Sequence, residues 1–375
     1  MRFSNQGTLV FSEEQAELLE VSQRFCAEKS PIEKVRRLLT DETGHDPAVW
    51  QEMAGLGWLG IAVPEEFGGV GLSLTEVVPV VEQMGRRLMA GPFVSTTLAA
   101  QAILHGASHE QKAQWLPELA SGTPAALALI EPHGDWDLTR LDCACSGDGE
   151  TVLLSGRKVL VTDAATAQWL LVSAVLDGTP VLVMVPRDAL DASALRREVV
   201  IDETRRSYQV TLDGTSVSVA NVLSGAPATQ TLAHLQLAAN LLLAAEMCGG
   251  TARCIDYTVD YLTTRKQFGK LIGAYQALKH PIVDAHVTYE QARSHLYAAA
   301  CSFAAQGEGE IATRMAKAQA GKAMSFAASR AIQFHGGFGF TYDCDAQLYR
   351  RRAIWCDSQH GDAGYQRRRL AELMF

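Results

Sequence analysis

Residues 232–250, LAHLQLAANLLLAAEMCGG, constrain what this chain can fold into more than any other segment. The run is long and apolar enough for a bilayer span. It nevertheless carries His234, Gln236, Asn240 and Glu246, and ionisable groups at membrane depth are costly. A helix that is apolar on most sides without being a span must be wrapped by other helices. The sequence therefore calls for a large helical core, with Glu246 buried and paired inside it. A chain of 375 residues, 47% of them hydrophobic, can build one.

The rest of the chain is patterned to match. Helical spacing recurs over residues 47–56, 74–87 and 110–119, and Ser12 before Glu13-Glu14 reads as a helix N-cap. Glycine-rich breaks such as Phe67-Gly68-Gly69-Val70-Gly71 separate these segments. From about residue 123 the pattern changes to short apolar runs, 125–130, 151–154, 159–161, 169–175 and 180–185. Gly147-Asp148-Gly149 and Asp177-Gly178 punctuate them, as expected of an antiparallel β-domain. Helix returns near Pro281, which suits a first helical turn. Ile282, Ala285, Tyr289, Ala292, Leu296, Ala299 and Phe303 then share one helical face. The expected architecture is α+β: an N-terminal helical domain (1–122), a central antiparallel β-domain (123–225) and a C-terminal helical bundle (226–375).

Charge and cysteines narrow the partners. A net charge of −9 argues against a nucleic-acid or anionic-membrane surface. The eight cysteines are scattered, the nearest pair being Cys143 and Cys145, and no pairing has zinc spacing, so no metal site is expected. The first residues lack a basic region followed by an apolar one, which predicts a cytoplasmic protein with reduced thiols.

Three segments carry more specific information. They are GLGWLGIAVPEEFGGVGLS at 55–73, Arg265-Lys266-Gln267-Phe268-Gly269-Lys270-Leu271-Ile272 followed by Gln276, and Gln333-Phe334-His335-Gly336-Gly337-Phe338-Gly339-Phe340. Arg265 offers fixed donors suited to a pyrophosphate, and Gly336 and Gly337 allow backbone to approach a nucleotide closely. In this order, around a β-rich middle, the segments resemble the acyl-CoA dehydrogenase family, and the resemblance spans most of the chain. It implies an FAD cofactor whose adenosine–pyrophosphate half is bound mainly by a neighbouring subunit, through Arg265, Gln267, Phe268, Ile272, Gln276, Gln333, Gly336 and Gly337. It also implies an oligomer, a dimer or tetramer of identical or different chains. In the β-domain, Leu129-Ile130-Glu131-Pro132 and the 156–162 segment resemble the family's flavin-ring contacts, which assigns Leu129, Ile130 and Thr162 to the cofactor. Ile130 replaces a threonine there, and Leu160 an aromatic residue.

The family chemistry removes an α-proton from an acyl thioester while a hydride leaves the β-carbon for the flavin. A gap-free count from Gln333 places His360 where the family's usual glutamate base stands. The family's alternative base position, counted back from Arg265, is Ala239. His360 is therefore the expected base, with Asp362 orienting it or acting itself, and Glu246 as a displaced carboxylate. The resemblance implies α,β-dehydrogenation of an acyl-CoA or acyl-carrier-protein thioester, with electron-transfer flavoprotein or oxygen as acceptor. The missing glutamate leaves a second reading open, a non-catalytic partner subunit that completes a sister chain's FAD site.

Overall fold

The computed structural model describes residues 2–3, 9–10, 13–303 and 308–375. After two short paired strands, Arg2–Phe3 (β1) and Leu9–Val10 (β2), the N-terminal domain is helical: Glu13–Lys29 (α1), Ile32–Leu38 (α2), Pro47–Gly55 (α3), Leu74–Arg86 (α4), Phe93–Gly106 (α5) and His109–Ala120 (α6). The expected cap at Ser12 lies outside the described residues. Ser73 fixes where the glycine loop ends and α4 begins: its hydroxyl accepts from Thr75 N–H at 3.1 Å, and Glu76 accepts from the Ser73 N–H at 2.9 Å.

Nine strands form the middle: Ala125–Ala128 (β3), Ala144–Asp148 (β4), Thr151–Ser155 (β5), Arg157–Thr162 (β6), Trp169–Leu176 (β7), Thr179–Pro186 (β8), Leu195–Glu198 (β9), Ser207–Thr211 (β10) and Thr215–Ser218 (β11). They make one sheet in the order β11-β5-β4-β7-β3, with β8 also on β7, and a second in the order β6-β10-β9. The expected antiparallel domain needs correcting, because β3 and β4 both run parallel to β7. Turn residues such as Asp177-Gly178 between β7 and β8, both at positive φ, announce only the local antiparallel pairs. Parallel neighbours meet through long connections that leave no turn signature.

The C-terminal bundle comprises Ala228–Thr264 (α7), a small hairpin of Lys266–Gln267 (β12) and Lys270–Leu271 (β13), then Gln276–Ser302 (α8), Glu308–Phe334 (α9), Ala346–Ser358 (α10) and Ala363–Met374 (α11). α7 holds the apolar run. It is long and apolar enough to cross a membrane, but 83% of its most apolar window is buried within the protein. α8 starts five residues earlier than expected, so Pro281 sits inside it and withdraws one N–H from the helix. Its apolar face is as read: Ala285, Ala292, Leu296 and Ala299 are buried.

Glycines bring α4 and α7 unusually close. A Cβ on Gly85 would lie 2.1 Å from the Glu246 carbonyl oxygen, and one on Gly249 would lie 1.8 Å from that of Glu82. The contact seats α7 against the N-terminal domain and fixes the height at which Glu246 meets its neighbours.

Candidate functional site

The three parts of the fold meet around a cavity of about 100 Å³. α5 contributes Ser95 and Leu98, and the chain leaving β3 contributes Leu129 and Ile130. Leu160, Thr162 and Asp163 come from the end of β6, and Arg205 from the loop before β10. α7 supplies Ala239, Leu243 and Glu246, while Trp355 and His360 close the C-terminal side. Five residues expected to be functional, Leu129, Ile130, Thr162, Glu246 and His360, therefore converge although they come from four separate stretches of chain.

His360 follows the end of α10 with φ +53°, a left-handed conformation that Gly361, at φ +92°, continues. The turn is held from outside. Gln366 Nε2 donates to the His360 carbonyl at 2.8 Å, and the buried Lys317 ammonium donates to Asp357 O at 3.0 Å and Gly361 O at 3.3 Å. The His360 ring lies 5.6 Å from that of Trp136, and its Nδ1 has no hydrogen-bond partner among the described residues. Burial pushes the imidazole pKa down to about 4, with the Lys317 charge adding to the effect. The ring is therefore neutral at pH 7, but its conjugate acid is stronger than one suited to proton abstraction at that pH.

The carboxylates around it are engaged. Burial alone would raise the Glu246 pKa, but the guanidinium groups of Arg205 and Arg352 outweigh it and hold the carboxyl ionised. Arg352 also pairs with Asp202 and donates to the Thr204 hydroxyl, so Glu246 belongs to a buried ion network and is no free base. Asp163 is raised by burial against the pull of Arg205 and stands 3.4 Å from the Ser95 hydroxyl. Asp362 does not line the cavity. Its carboxylate accepts from Tyr365 N–H at 2.7 Å and caps α11, which is the role the structure gives it in place of orienting His360.

The remaining expected cofactor residues form a separate surface, and none of them lines the cavity. Arg265, Gln267, Gln276, Gln333, Gly336 and Gly337 are exposed, and Phe268, at the tip of the β12–β13 hairpin, is 91% exposed. The Arg265 guanidinium pairs with no group among the described residues. Gly336 turns at φ +64° just after His335, whose ring is stacked between Tyr257 (4.6 Å) and Tyr261 (4.3 Å). Ile272 differs from its neighbours: its side chain is buried and its N–H donates to Arg265 O at 2.9 Å, so it shapes the hairpin from beneath.

Residues 12–123 match the family described as "Acyl-CoA dehydrogenase, N-terminal domain", and residues 233–375 match "Acyl-CoA dehydrogenase, C-terminal domain". The chain belongs to the acyl-CoA dehydrogenase family. Acyl-CoA dehydrogenase IpdE2 of Mycolicibacterium smegmatis is 30% identical over 97% of this chain and 100% of its own length. A solved structure described as the Tcur3481-Tcur3483 steroid ACAD G363A variant is 29% identical at a TM-score of 0.85, covering 96% of this chain and 98% of its own. The ChsE4-ChsE5 complex from Mycobacterium tuberculosis is 25% identical at a TM-score of 0.88, covering 99% and 98%.

Acyl-CoA dehydrogenases are FAD flavoproteins, and the two regions of this chain fit FAD unequally. The exposed surface fits the adenosine–pyrophosphate half: an unpaired guanidinium for phosphate, and a glycine turn with nothing within 4 Å of a Cβ built on Gly336 or Gly337. The cavity does not fit the ring half. It is smaller than the roughly 300–1,000 Å³ of sites that enclose a ligand, and the ion-paired Arg205 forms part of its wall. Arg205, Asp163, Trp136 and Lys317 are the residues that motif reading missed. None sits in a family motif, and Arg205 reaches Glu246 across 41 residues of sequence. The one available signal was Glu246 itself, a buried carboxylate that needed cations from elsewhere.

Proposed function

We propose that this chain is a partner subunit of an FAD-dependent acyl-thioester α,β-dehydrogenase, lending its adenosine–pyrophosphate surface to a sister chain that carries the chemistry. The observation that carries this reading is the contrast between the two regions. Arg265 and the Gly336-Gly337 turn stand exposed and unengaged, while the cavity offers a histidine of low basicity, a doubly paired Glu246 and a small volume. Relatives named as pairs of different proteins, Tcur3481-Tcur3483 and ChsE4-ChsE5, support it. On this reading the acyl handle, CoA or carrier protein, and the acceptor, electron-transfer flavoprotein or oxygen, are set by the sister chain's site.

The test is to co-express the chain with a family member that keeps the glutamate, and to count FAD per chain. About half an equivalent per chain, and anaerobic bleaching by an acyl-CoA only when both chains are present, is the expected outcome. A competing reading, a self-sufficient dehydrogenase with His360 as base, draws support from the neutral imidazole and its free Nδ1. The chain purified alone with one FAD, bleached by an acyl-CoA and silenced by His360→Ala, would establish that reading and sink the first.

A further inference from the structure

The cavity has a larger neighbour. A cleft of about 800 Å³ opens beside it, lined by Arg36, Thr40, Arg197, Glu198, Glu203 and Tyr342, among others. Among the described residues, Arg205 alone lines both spaces. Its side chain is only 9% exposed and stands between the 100 Å³ cavity and the larger cleft. The partition is tied down by charge: an Arg205 Nη2 donates to Glu246, which Arg352 also holds. It is only partly satisfied, because Arg205 Nε is buried without a hydrogen-bond partner among the described residues. A buried donor left unpaired is costly, so this arm is held by its Glu246 end and not by the rest of its length.

We propose that Arg205 is a latch that shuts this chain's ring-binding cavity off from the adjoining cleft, and so determines which chain of the assembly can hold a flavin ring. The inference rests on the partner-subunit reading and goes beyond it by naming the residue responsible. A flavin ring is wide and rigid, so it enters the cavity from the cleft only through a continuous opening. Here that opening is filled by a guanidinium paired with a carboxylate. When Arg205 is removed, Glu246 keeps Arg352 as a partner, although that one guanidinium then faces two buried carboxylates, Glu246 and Asp202. Removing the arm should therefore open the passage at a cost in stability, with Glu246 still held by Arg352.

Lumiflavin, the ring without ribityl or phosphate groups, is the probe, followed by its fluorescence in titrations of the full chain. The wild-type chain should bind the probe only weakly, and Arg205→Ala should bind it about tenfold tighter or more. Arg205→Gln, which keeps a donor for Glu246 but loses the outer fork, serves if the alanine variant does not fold, and should move in the same direction. Equal binding by wild type and variant, or no binding by a folded variant, would overturn the latch. Because lumiflavin has no phosphate, this result is independent of the adenosine surface, whose role is read from the FAD content of an Arg265→Ala assembly.

Discussion

Replacing His360 with asparagine should change how the protein responds to acid. Asparagine tolerates the φ of +53° and does not titrate in this range. In the folded protein burial and Lys317 hold the imidazole pKa at about 4, whereas an unfolded chain binds the proton with a pKa of about 6.5. Between those values the unfolded state carries more protons, so the histidine's contribution to stability falls as pH drops from 6.5 towards 4. The loss, relative to neutral pH, amounts to about 2 kcal/mol at pH 5 and about 3 kcal/mol below pH 4, at about 1.36 kcal/mol per pKa unit. Urea denaturation of both proteins at pH 7 and pH 5 isolates it: packing lost with the ring affects both pH values alike, and the half-buried His234 titrates in both proteins. Wild type should lose about 2 kcal/mol more than His360→Asn over this interval. Parallel losses, or an NMR titration of the His360 ring with a midpoint near 6.5, would refute the claim that this imidazole is desolvated, and with it the argument that it is a poor base.

Two further outcomes follow from the same geometry. Arg265→Ala should lower the FAD content of the assembled protein while leaving the melting temperature of the chain nearly unchanged, because the guanidinium is exposed and unpaired; absorbance of the purified complex reads this directly. Lys317, whose pKa burial depresses to about 8, is neutral in the folded state above that value while the unfolded chain stays protonated to about 10.5, so its contribution to stability grows from pH 8 to 10.5. The stability difference between wild type and Lys317→Met, measured by denaturation across that range, should rise with pH; a flat or falling difference would show that the ammonium is solvated.

The helical parts were legible because their signals are local. α3, α4 and α6 match the expected spans to within a residue or so, and the apolar face of α8 is the buried one. Proline misled at Pro281, since one lost N–H near a helix start is tolerated when the following face is well packed. The sheet was half legible: hairpins announce themselves in turn residues, but the parallel placement of β3 and β4 on β7 depends on contacts remote in sequence. In the site, motif position located His360 and the Arg265 surface, yet could not show that Asp362 is a helix cap. It could not reveal Arg205 either, whose importance comes only from where its guanidinium arrives in space.

The spacing between α4 and α7 is set by what Gly85 and Gly249 lack. Each stands where a single methyl group would run into the opposite helix's carbonyl oxygen. A shim at either point would lever α7 away about that fulcrum, and Ala239, Leu243 and Glu246 ride on the same rod. The chamber's width is thus governed by two positions that never face it, and drift at them would reshape the interior while every lining residue stayed the same.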